Sequence, residues 1–168
     1  NMKIIAVEPS SNPLKNLPTQ PDFAAFVPLQ LDEIFKDEDT VQKLNQFQSV
    51  IIGGAAVSTA LHEKIKTLSC DVYATYGITE TVSHIALQKL NGPHAQDYFE
   101  TLPDIRVRTD ERDCLVIELT DFQEPIITND LVTMIHRTGF KILGRYDNII
   151  NSGGLKLVPE HIEKKIEP

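Results

Sequence analysis

The chain has 168 residues, of which 41% are hydrophobic and 24% charged, an ordinary composition for one globular domain with a hydrophobic core. Its net charge of −8 argues against a nucleic-acid partner, because a phosphate backbone attracts basic surfaces. No apolar run approaches the ~18 residues that a transmembrane helix needs, so no membrane span is predicted. A small anionic ligand such as a nucleotide remains compatible with this acidity, since backbone N–H groups, an arginine and a metal ion can hold it.

The two cysteines indicate a reducing environment. Cys70 and Cys114 lie in apolar, strand-like runs and lack the spacing of a CxxC or Cys/His metal site. We expect two buried, reduced thiols and, with no signal peptide recognisable, a cytoplasmic protein.

The N-terminal part combines short elements with proline-rich chain. Residues 3–7 predict a short strand, and the four prolines within residues 9–21 forbid a regular helix. Residues 23–31 are apolar around Pro28, which indicates a bent segment or a helix beginning near that proline. Residues 32–45 predict one helix or two short ones.

A βαβ unit follows. Residues 49–52 (SVII) predict a buried strand, Ser58 is a suitable N-cap for a helix to about Leu68, and residues 71–75 (DVYAT) predict a second strand. Strand, glycine turn, helix and strand in this order indicate an α/β fold with a parallel sheet.

The chain beyond Gly92 has a different texture. Short β-rich runs separated by charged turns predict a meander or small barrel; they lie at 105–109, 114–119, 131–136 and 140–143. Residues 149–157 then predict two strands around a Ser-Gly-Gly turn, and a helix is expected from Pro159 to Ile166. We therefore expect an α/β part at 1–90, a β-rich subdomain at 91–145, and from 146 the truncated start of another domain.

The segment after the second predicted strand carries the residue types that suit a nucleotide. Ligands of parallel sheets bind beyond the carboxyl ends of the strands, where Tyr76 offers a flat face and Gly77 permits close approach. Thr79 supplies a hydroxyl for a phosphate, and Glu80 a carboxylate for Mg²⁺. The same residues are also explained by a purely structural alternative, namely a strand end, a glycine turn and a polar helix cap.

Three further segments have equally open readings. The turn at residues 53–56 (GGAA) fits an ordinary βα connection, and it lacks the GxxxxGK[ST] pattern of a phosphate loop. Asp130, taken as the end of a β segment, suits two ribose hydroxyls or an ordinary turn. Arg145 suits a phosphate or ribose, and Asp147 suits a salt bridge.

The order of these segments is more specific than any one of them. IIGGAAVS, YGITET, TNDLV, GRYDNIINSGG and PEHIE resemble, in order and rough spacing, the motifs of the adenylate-forming superfamily, which includes acyl-CoA synthetases, peptide-synthetase adenylation domains and luciferases. The resemblance runs from about Val50 to the last residue. It implies that the chain is part of the large N-terminal domain of an AMP-forming enzyme, with the beginning of the C-terminal domain.

The resemblance implies roles on the adenosine side of the site. Gly54, Ala55 and Ala56 correspond to the wall of the adenine pocket. Tyr76 corresponds to the aromatic residue that stacks on adenine, with Gly77 beside it.

It also implies roles for polar and charged residues. Thr79 corresponds to the residue that binds the AMP phosphate, and Glu80 to the magnesium ligand. Asp130 matches the aspartate that binds the ribose hydroxyls, and Arg145 the arginine near ribose and phosphate. Asp147 falls on the hinge about which the small domain rotates.

The implied reaction has two steps. A carboxylate attacks the α-phosphate of ATP, giving an acyl-adenylate and pyrophosphate, and the thiol of CoA then displaces AMP to give a thioester. Ser152, Gly153 and Gly154 resemble the glycine loop near the acyl and pantetheine groups. Two expected pieces, a Ser/Thr/Gly-rich phosphate loop before Gly53 and a C-terminal lysine, find no match, so we expect little or no ligase activity from these 168 residues alone.

Softer local similarity points to one group within the superfamily. EPSSNPL, FVPLQL and ETVSHIALQKLNG resemble the o-succinylbenzoate–CoA ligases of menaquinone biosynthesis. Thr81, Ser83 and His84 then fall where the acyl pocket is lined, and a hydrogen-bonding wall suits an acid with a second carboxylate. His84 also fits a half-buried strand histidine.

Other readings stay open. Another acyl- or aryl-CoA ligase is the nearest alternative, and a peptide-synthetase adenylation domain is a more distant one. A non-catalytic nucleotide-binding fragment and a homo-oligomer formed through an exposed sheet edge are further alternatives.

Overall fold

The computed structural model describes residues 3–120, 122–152, 155–160 and 162. The chain forms two compact units. Unit 1 comprises the chain up to Thr75 together with Lys89–Gln96, and unit 2 comprises Tyr76–Gln88 together with the chain from Asp97.

Unit 1 is a parallel α/β unit. Its strands are β1 (Phe23–Phe26), β2 (Ser49–Ile52) and β3 (Asp71–Tyr76), whose last residue belongs to unit 2. They lie in the order β1-β2-β3 with all pairings parallel. The connecting helices are α1 (Pro28–Ile34), α2 (Glu38–Leu44) and α3 (Thr59–Ile65).

The predicted βαβ unit is confirmed, and its local causes are visible. Alternate residues of β2 are buried, so that Val50 and Ile52 face the core. The Ser58 Oγ accepts a hydrogen bond from the Leu61 N–H at 3.2 Å, which caps α3 as the sequence predicts. Leu61 and Ile65, one turn apart, form the buried face of this helix.

Asn91 joins three backbone segments inside unit 1. Its amide nitrogen donates to the carbonyls of Leu68 at 3.1 Å and Cys70 at 2.8 Å. Its amide oxygen accepts from the Val72 N–H at 2.9 Å. The buried side chain therefore satisfies backbone groups around the start of β3 that would otherwise lack partners.

Unit 2 is an antiparallel sheet with the strand order β4-β5-β9-β8-β7-β6. The strands are β4 (Ala86–Lys89, with Lys89 assigned to unit 1), β5 (Phe99–Thr101), β6 (Ile105–Thr109), β7 (Cys114–Leu119), β8 (Ile126–His136) and β9 (Gly139–Arg145). Short 3₁₀ helices span Thr79–Thr81 and Tyr146–Asn148. A separate hairpin pairs β10 (Ile150–Ser152) with β11 (Leu155–Leu157).

The core of unit 2 contains both aromatic and aliphatic side chains. Phe140 is fully buried, stacks on Phe99 at 5.8 Å and meets the Tyr76 ring edge-on at 5.3 Å between centroids. Leu115 and Ile117 of β7 are fully buried in the same cluster. The core thereby holds the Tyr76 ring against Phe140 of β9.

Three local predictions need correction. Residues 3–7 form no strand, because Ile4 and Val7 are exposed and present no buried face. Asp130 lies inside β8 rather than at the end of a β segment, because β8 continues through a register shift between Leu131 and Val132. Two short strands, β4 and β5, are additional to the predicted elements. The alternative of two short helices for residues 32–45 is confirmed, since this range holds the end of α1 and the whole of α2.

The predicted fold class, an α/β part followed by a β-rich part, is confirmed. The predicted meander is present as the consecutive neighbours β6, β7, β8 and β9. Residues 159, 160 and 162 are helical, and the rest of the helix predicted to Ile166 lies outside the described residues. In the described part of the chain, no helix has the length and apolar character needed to cross a membrane.

Candidate nucleotide-binding site

Three of the predicted site residues meet in unit 2. The Tyr76 hydroxyl donates to Asp130 Oδ2 at 2.6 Å. The Arg145 Nη1 lies 3.1 Å from Asp130 Oδ1. Both oxygens of one carboxylate are thus engaged, by two residues that are 54 positions before it and 15 after it in the chain.

The sheet register explains how Asp130 and Arg145 meet. Asp130 of β8 and Arg145 of β9 are direct partners across the antiparallel pair. Asp130 is 7% exposed, and its own N–H donates to the Thr128 Oγ1 at 3.1 Å. The Arg145 side chain is about half exposed, so the pair combines a buried anion with a solvent-facing cation.

Tyr76 closes the buried side of this group. The residue is 8% exposed, and its ring also contacts Phe99 at 5.9 Å between centroids. Desolvation, followed by the hydrogen bond to Asp130 and the charge of that carboxylate, raises the pKa of the Tyr76 hydroxyl far above its ordinary value. The hydroxyl is therefore a permanent donor, and stacking of this ring on adenine stays a prediction.

Asp147 stands next to the same arginine. Its Oδ2 lies 3.6 Å from the Arg145 Nη2. The Asn129 Nδ2 donates to both Asp147 oxygens, at 3.1 and 3.3 Å. Asp147 belongs to the 3₁₀ helix that directly follows β9, so the predicted hinge residue is joined to the predicted ribose-binding strand.

The loop after Tyr76 is shaped by one hydroxyl and one glycine. The Thr81 Oγ1 accepts from the Ile78 N–H at 3.1 Å and lies 2.9 and 2.8 Å from the carbonyls of Ile78 and Ser83, to one of which it donates at a time. A Cβ at Gly77 would lie 2.6 Å from the Ser83 carbonyl oxygen and 2.7 Å from the His84 Cα. Gly77 is thus required by close approach of backbone to backbone.

This loop presents the predicted phosphate and metal residues outward. Thr79, Glu80 and Ser83 are exposed, whereas His84 is half-buried with its Nδ1 3.4 Å from the Ser83 Oγ. Val82 has φ 62° and ψ −38°, a conformation that a β-branched residue rarely adopts. Local strain of this kind is often found at ligand-binding loops.

The predicted adenine-wall residues lie in unit 1. Gly54, Ala55 and Ala56 follow β2 and are exposed, and Gly54 has φ 85°, which favours glycine. Gly53 packs against Thr75, whose Oγ1 donates to the Ile52 carbonyl at 3.1 Å. The turn is therefore available to a ligand through backbone and small side chains.

Ser152 is the last residue of β10 in the hairpin. Gly153 and Gly154 lie outside the described residues, so the role predicted for these three residues stays a prediction.

No protein-family model matches the chain. Among solved structures, an AMP-forming acyl-CoA synthetase/AMP-acid ligase II-like protein from Dyadobacter fermentans is 44% identical with a TM-score of 0.78, over 95% of this chain and 46% of that one. The predicted resemblance to AMP-forming acyl-CoA synthetases is therefore confirmed.

The names of two other similar proteins specify the acid substrate. The curated 2-succinylbenzoate–CoA ligase of Escherichia coli is 25% identical over 92% of this chain and 36% of that protein. The o-succinylbenzoate–CoA synthetase of Bacillus subtilis, solved with ATP and magnesium ion, shares the fold with 17% identity and a TM-score of 0.65, over 86% of this chain and 36% of its own. The chain spans less than half the length of each of these similar proteins.

The residues around Asp130 include one group that the sequence motifs did not indicate. Arg112, read from sequence as part of a charged turn between strands, contacts the same strand as Asp130, and Asp110 of the same turn holds it. The Arg112 Nη1 donates to Asn129 Oδ1 at 3.0 Å, and its Nε donates to Asp110 Oδ2 at 2.8 Å. The available signal was the pair of opposite charges two residues apart in a tight turn, which does not indicate a partner on another strand.

A magnesium ion could be bound at this site by a single carboxylate, with the nucleotide supplying further ligands. In the described residues, no group of three or more His, Cys, Asp or Glu side chains is arranged to hold a metal ion. Mg²⁺ commonly binds proteins through one or two carboxylates and completes its shell with water and substrate phosphates. Exposed Glu80 fits such a site when a nucleotide brings the phosphates.

Proposed function

We propose that the protein to which this chain belongs is an AMP-forming carboxylic acid–CoA ligase, and that unit 2 binds the ribose side of its nucleotide. The observation that carries the proposal is the buried Asp130 carboxylate held between the Tyr76 hydroxyl and the Arg145 guanidinium. Three motifs that are distant in sequence supply these groups. Similarity to acyl-CoA synthetases over nearly the whole chain supports the same reading.

In this proposal the Asp130 carboxylate accepts hydrogen bonds from the two ribose hydroxyls. A carboxylate has about four acceptor positions, and the contacts from Tyr76 and Arg145 occupy two of them. Tyr76 and the surrounding core hold the carboxylate in place before the nucleotide arrives, which lowers the ordering cost of binding. Arg145, half exposed, supplies positive charge toward the phosphate.

The exposed loop serves the phosphates. The Thr79 hydroxyl donates a hydrogen bond to the α-phosphate, and Glu80 binds Mg²⁺ together with the oxygens of the nucleotide. The ion, when bound, neutralises phosphate charge and so favours attack on phosphorus. The close contacts at Gly77 and Thr81 hold the backbone of the loop that carries Thr79 and Glu80.

The chemistry requires a carboxylic acid, ATP and CoA as substrates. The acid's oxygen forms a bond to the α-phosphorus while the bond to pyrophosphate breaks. The CoA sulfur then forms the thioester as AMP leaves. Asp147 is the proposed hinge between the two steps, and Ser152 with Gly153 and Gly154 is proposed to lie beside the acyl and pantetheine groups in the second.

We propose o-succinylbenzoate as the acid, and hence a role in menaquinone biosynthesis. The curated similar proteins from E. coli and Salmonella typhimurium carry this substrate in their names. The Thr81 hydroxyl already makes hydrogen bonds to backbone groups of its own loop. In this proposal Ser83 and His84 therefore supply the polar side chains of the acyl pocket. A second carboxylate on the substrate suits such donors.

We propose that the enzyme works in the cytoplasm. Cys70 and Cys114 are free, buried thiols. Desolvation raises the pKa of Cys70 to about 11 and also raises that of Cys114, so both thiols stay protonated and unreactive. Thiols of this kind persist in a reducing compartment.

Calorimetry with AMP tests the ribose site on the 168-residue chain itself. We expect Asp130→Asn to weaken AMP binding about tenfold, since it removes a charged acceptor. Asp97→Asn, which breaks only an exposed ion pair with Lys141, is the matched control. Equal affinity in wild type and Asp130→Asn would contradict the assignment, as would no binding to the wild type at millimolar AMP.

Pyrophosphate release by the full-length gene product tests the reaction. We expect turnover with o-succinylbenzoate to exceed that with fatty or simple aryl acids by at least about 100-fold. Preference for another acid would support the proposed ligase activity and contradict o-succinylbenzoate as its substrate. Nucleotide binding without turnover on any acid would favour a non-catalytic nucleotide-binding protein. We expect the 168 residues alone to release little or no pyrophosphate.

A further inference from the structure

The Arg112 side chain joins three segments of unit 2. It arises from the turn between β6 and β7, where Asp110 holds it by accepting from its backbone N–H at 2.8 Å and its Nε at 2.8 Å. Its Nη1 donates to the Asn129 Oδ1 at 3.0 Å, and its Nη2 donates to the Thr128 carbonyl at 3.1 Å. The guanidinium also lies over the Tyr146 ring, 5.2 Å from its centroid.

Asn129 transmits this contact to the hinge because of the chemistry of its amide. A guanidinium only donates hydrogen bonds, so the amide oxygen of Asn129 must face Arg112. The amide nitrogen then necessarily faces Asp147, to whose two oxygens it donates at 3.1 and 3.3 Å. Reversal of the amide would set donor against donor and acceptor against acceptor.

The connection continues to the proposed ribose site. Asp147 lies 3.6 Å from the Arg145 Nη2, and the Nη1 of the same arginine lies 3.1 Å from Asp130. Arg145 is exposed enough to adopt other rotamers, so its direction depends on having carboxylates on both sides. Asp130 is fixed by burial, whereas Asp147 is exposed and depends on Asn129.

We propose that Arg112 is a positioning residue which, through Asn129, holds the Asp147 carboxylate beside Arg145 and so fixes the direction of Arg145 toward the nucleotide. The functional part rests on the proposed nucleotide site; the positional part does not. Lysine cannot replace Arg112, because a single ammonium cannot reach Asp110, Asn129 and the Thr128 carbonyl in one plane.

Arg112→Lys is the first test, and Arg108→Lys is its matched control. Arg108 lies on the neighbouring strand β6 and makes an exposed ion pair with Glu118 at 2.9 Å. We expect Arg112→Lys to weaken AMP binding to the chain about fivefold to tenfold, and Arg108→Lys to leave it within about twofold.

Asn129→Asp separates the two halves of the connection. The new carboxylate still accepts from Arg112, so the contact between the β6–β7 turn and β8 is retained, and with it the fold. It faces Asp147 with like charge, which reverses the contact that holds the hinge residue. We expect this variant to weaken AMP binding at least as much as Arg112→Lys, while Asn129→Asp combined with Asp147→Asn recovers most of the loss.

The ¹H–¹⁵N signal of the Arg145 Nε reports the position without nucleotide. We expect it to shift in Arg112→Lys and in Asn129→Asp, and to stay unchanged in Arg108→Lys. If wild type binds no AMP, the proposed nucleotide site fails, and this signal still decides the positional claim. An unchanged Arg145 signal in both variants overturns the proposal, as does wild-type AMP affinity in both.

Discussion

The two units bury polar groups of different kinds. In the described part of unit 1 the buried polar side chains are the neutral Asn12, Thr40 and Asn91, whereas unit 2 buries the carboxylate of Asp130 beside the neutral Thr128. Asn91 bonds to backbone of its own unit near the start of β3. Asp130 bonds to two ionisable side chains, the buried Tyr76 hydroxyl and the half-exposed Arg145 guanidinium. Unit 1 thus uses buried neutral groups to fix its own backbone, whereas unit 2 buries a carboxylate that two ionisable side chains hold in place, as the proposed ribose site requires.

The largest effect on stability is expected in unit 1. Asn91→Ala removes three hydrogen bonds and leaves one N–H and two carbonyls of the buried backbone without this partner. We expect a loss of about 3 kcal/mol in the free energy of unfolding, independent of pH, since no charge is involved. Because the chain contains no tryptophan, urea unfolding is followed by circular dichroism.

Asn45→Ala is the control for that substitution. Asn45 also accepts from backbone, at 2.8 Å from the Ser69 N–H, but water can replace this exposed contact. We expect a loss of about 1 kcal/mol or less. Equal losses in the two variants would remove the distinction between a buried fold-fixing amide and an ordinary surface one.

The next effect is expected in unit 2. Tyr76→Phe retains the ring among Phe99 and Phe140 and removes only the hydroxyl that donates to Asp130. The carboxylate is then buried with one charged partner, Arg145, and we expect a loss of about 2 kcal/mol. Tyr146→Phe, which keeps the ring over which Arg112 lies, should change stability by less than about 0.5 kcal/mol.

A loss near zero in Tyr76→Phe would mean that Asp130 does not depend on the hydroxyl in the absence of ligand. A loss equal to that of Tyr146→Phe would contradict the buried contact in the same way. Either result would remove the contrast with unit 1, because the Tyr76 hydroxyl would then not stabilise the buried carboxylate of Asp130.

The difference between the units also separates what the sequence could predict from what it could not. In unit 1, β2, the Ser58 cap and β3 follow from periodicity and capping within about 25 consecutive residues, and these elements were predicted closely. In unit 2 the strands β6 and β7 were predicted with their observed bounds. Local patterns suffice for elements whose causes are local.

The partners of side chains in unit 2 depend on register, which the sequence does not display. Arg145 meets Asp130 because β8 and β9 align these residues, and a shift of one residue would separate them. The contacts of Arg112 with Asn129 depend in turn on the pairing of β7 with β8, which includes a register shift after Cys114. Motif resemblance named Asp130, Arg145 and Asp147 individually, but it contained no information on Arg112.

A smaller effect is expected in the loop that bears Thr79 and Glu80. Thr81→Val keeps the shape of the side chain and removes the hydroxyl that accepts from the Ile78 N–H. We expect a loss of about 1 kcal/mol, because water can reach part of this loop, and rescue by Thr81→Ser. Thr79→Val, the same change at an exposed position, should have almost no effect on unfolding, and equal losses in both would contradict the role of Thr81.

The smallest effect concerns the charge that anchors Arg112. Desolvation raises the pKa of the Asp110 carboxyl, but hydrogen bonds from the Cys114 N–H and from Arg112 outweigh it, so the pKa lies below its ordinary value of 3.8. A carboxyl whose pKa is lowered by folding adds stability above the unfolded-state pKa, and that stability is lost as pH falls through the folded-state value. The urea midpoint of wild type should therefore exceed that of Asp110→Asn at pH 6, and the two should converge below about pH 3. Glu111→Gln makes the same change in net charge at the next residue and removes the general effect of charge from the comparison. A gap between wild type and Asp110→Asn that stays constant down to pH 2 would show that the anchor does not act through its charge, as is expected of the neutral Asn91 in unit 1.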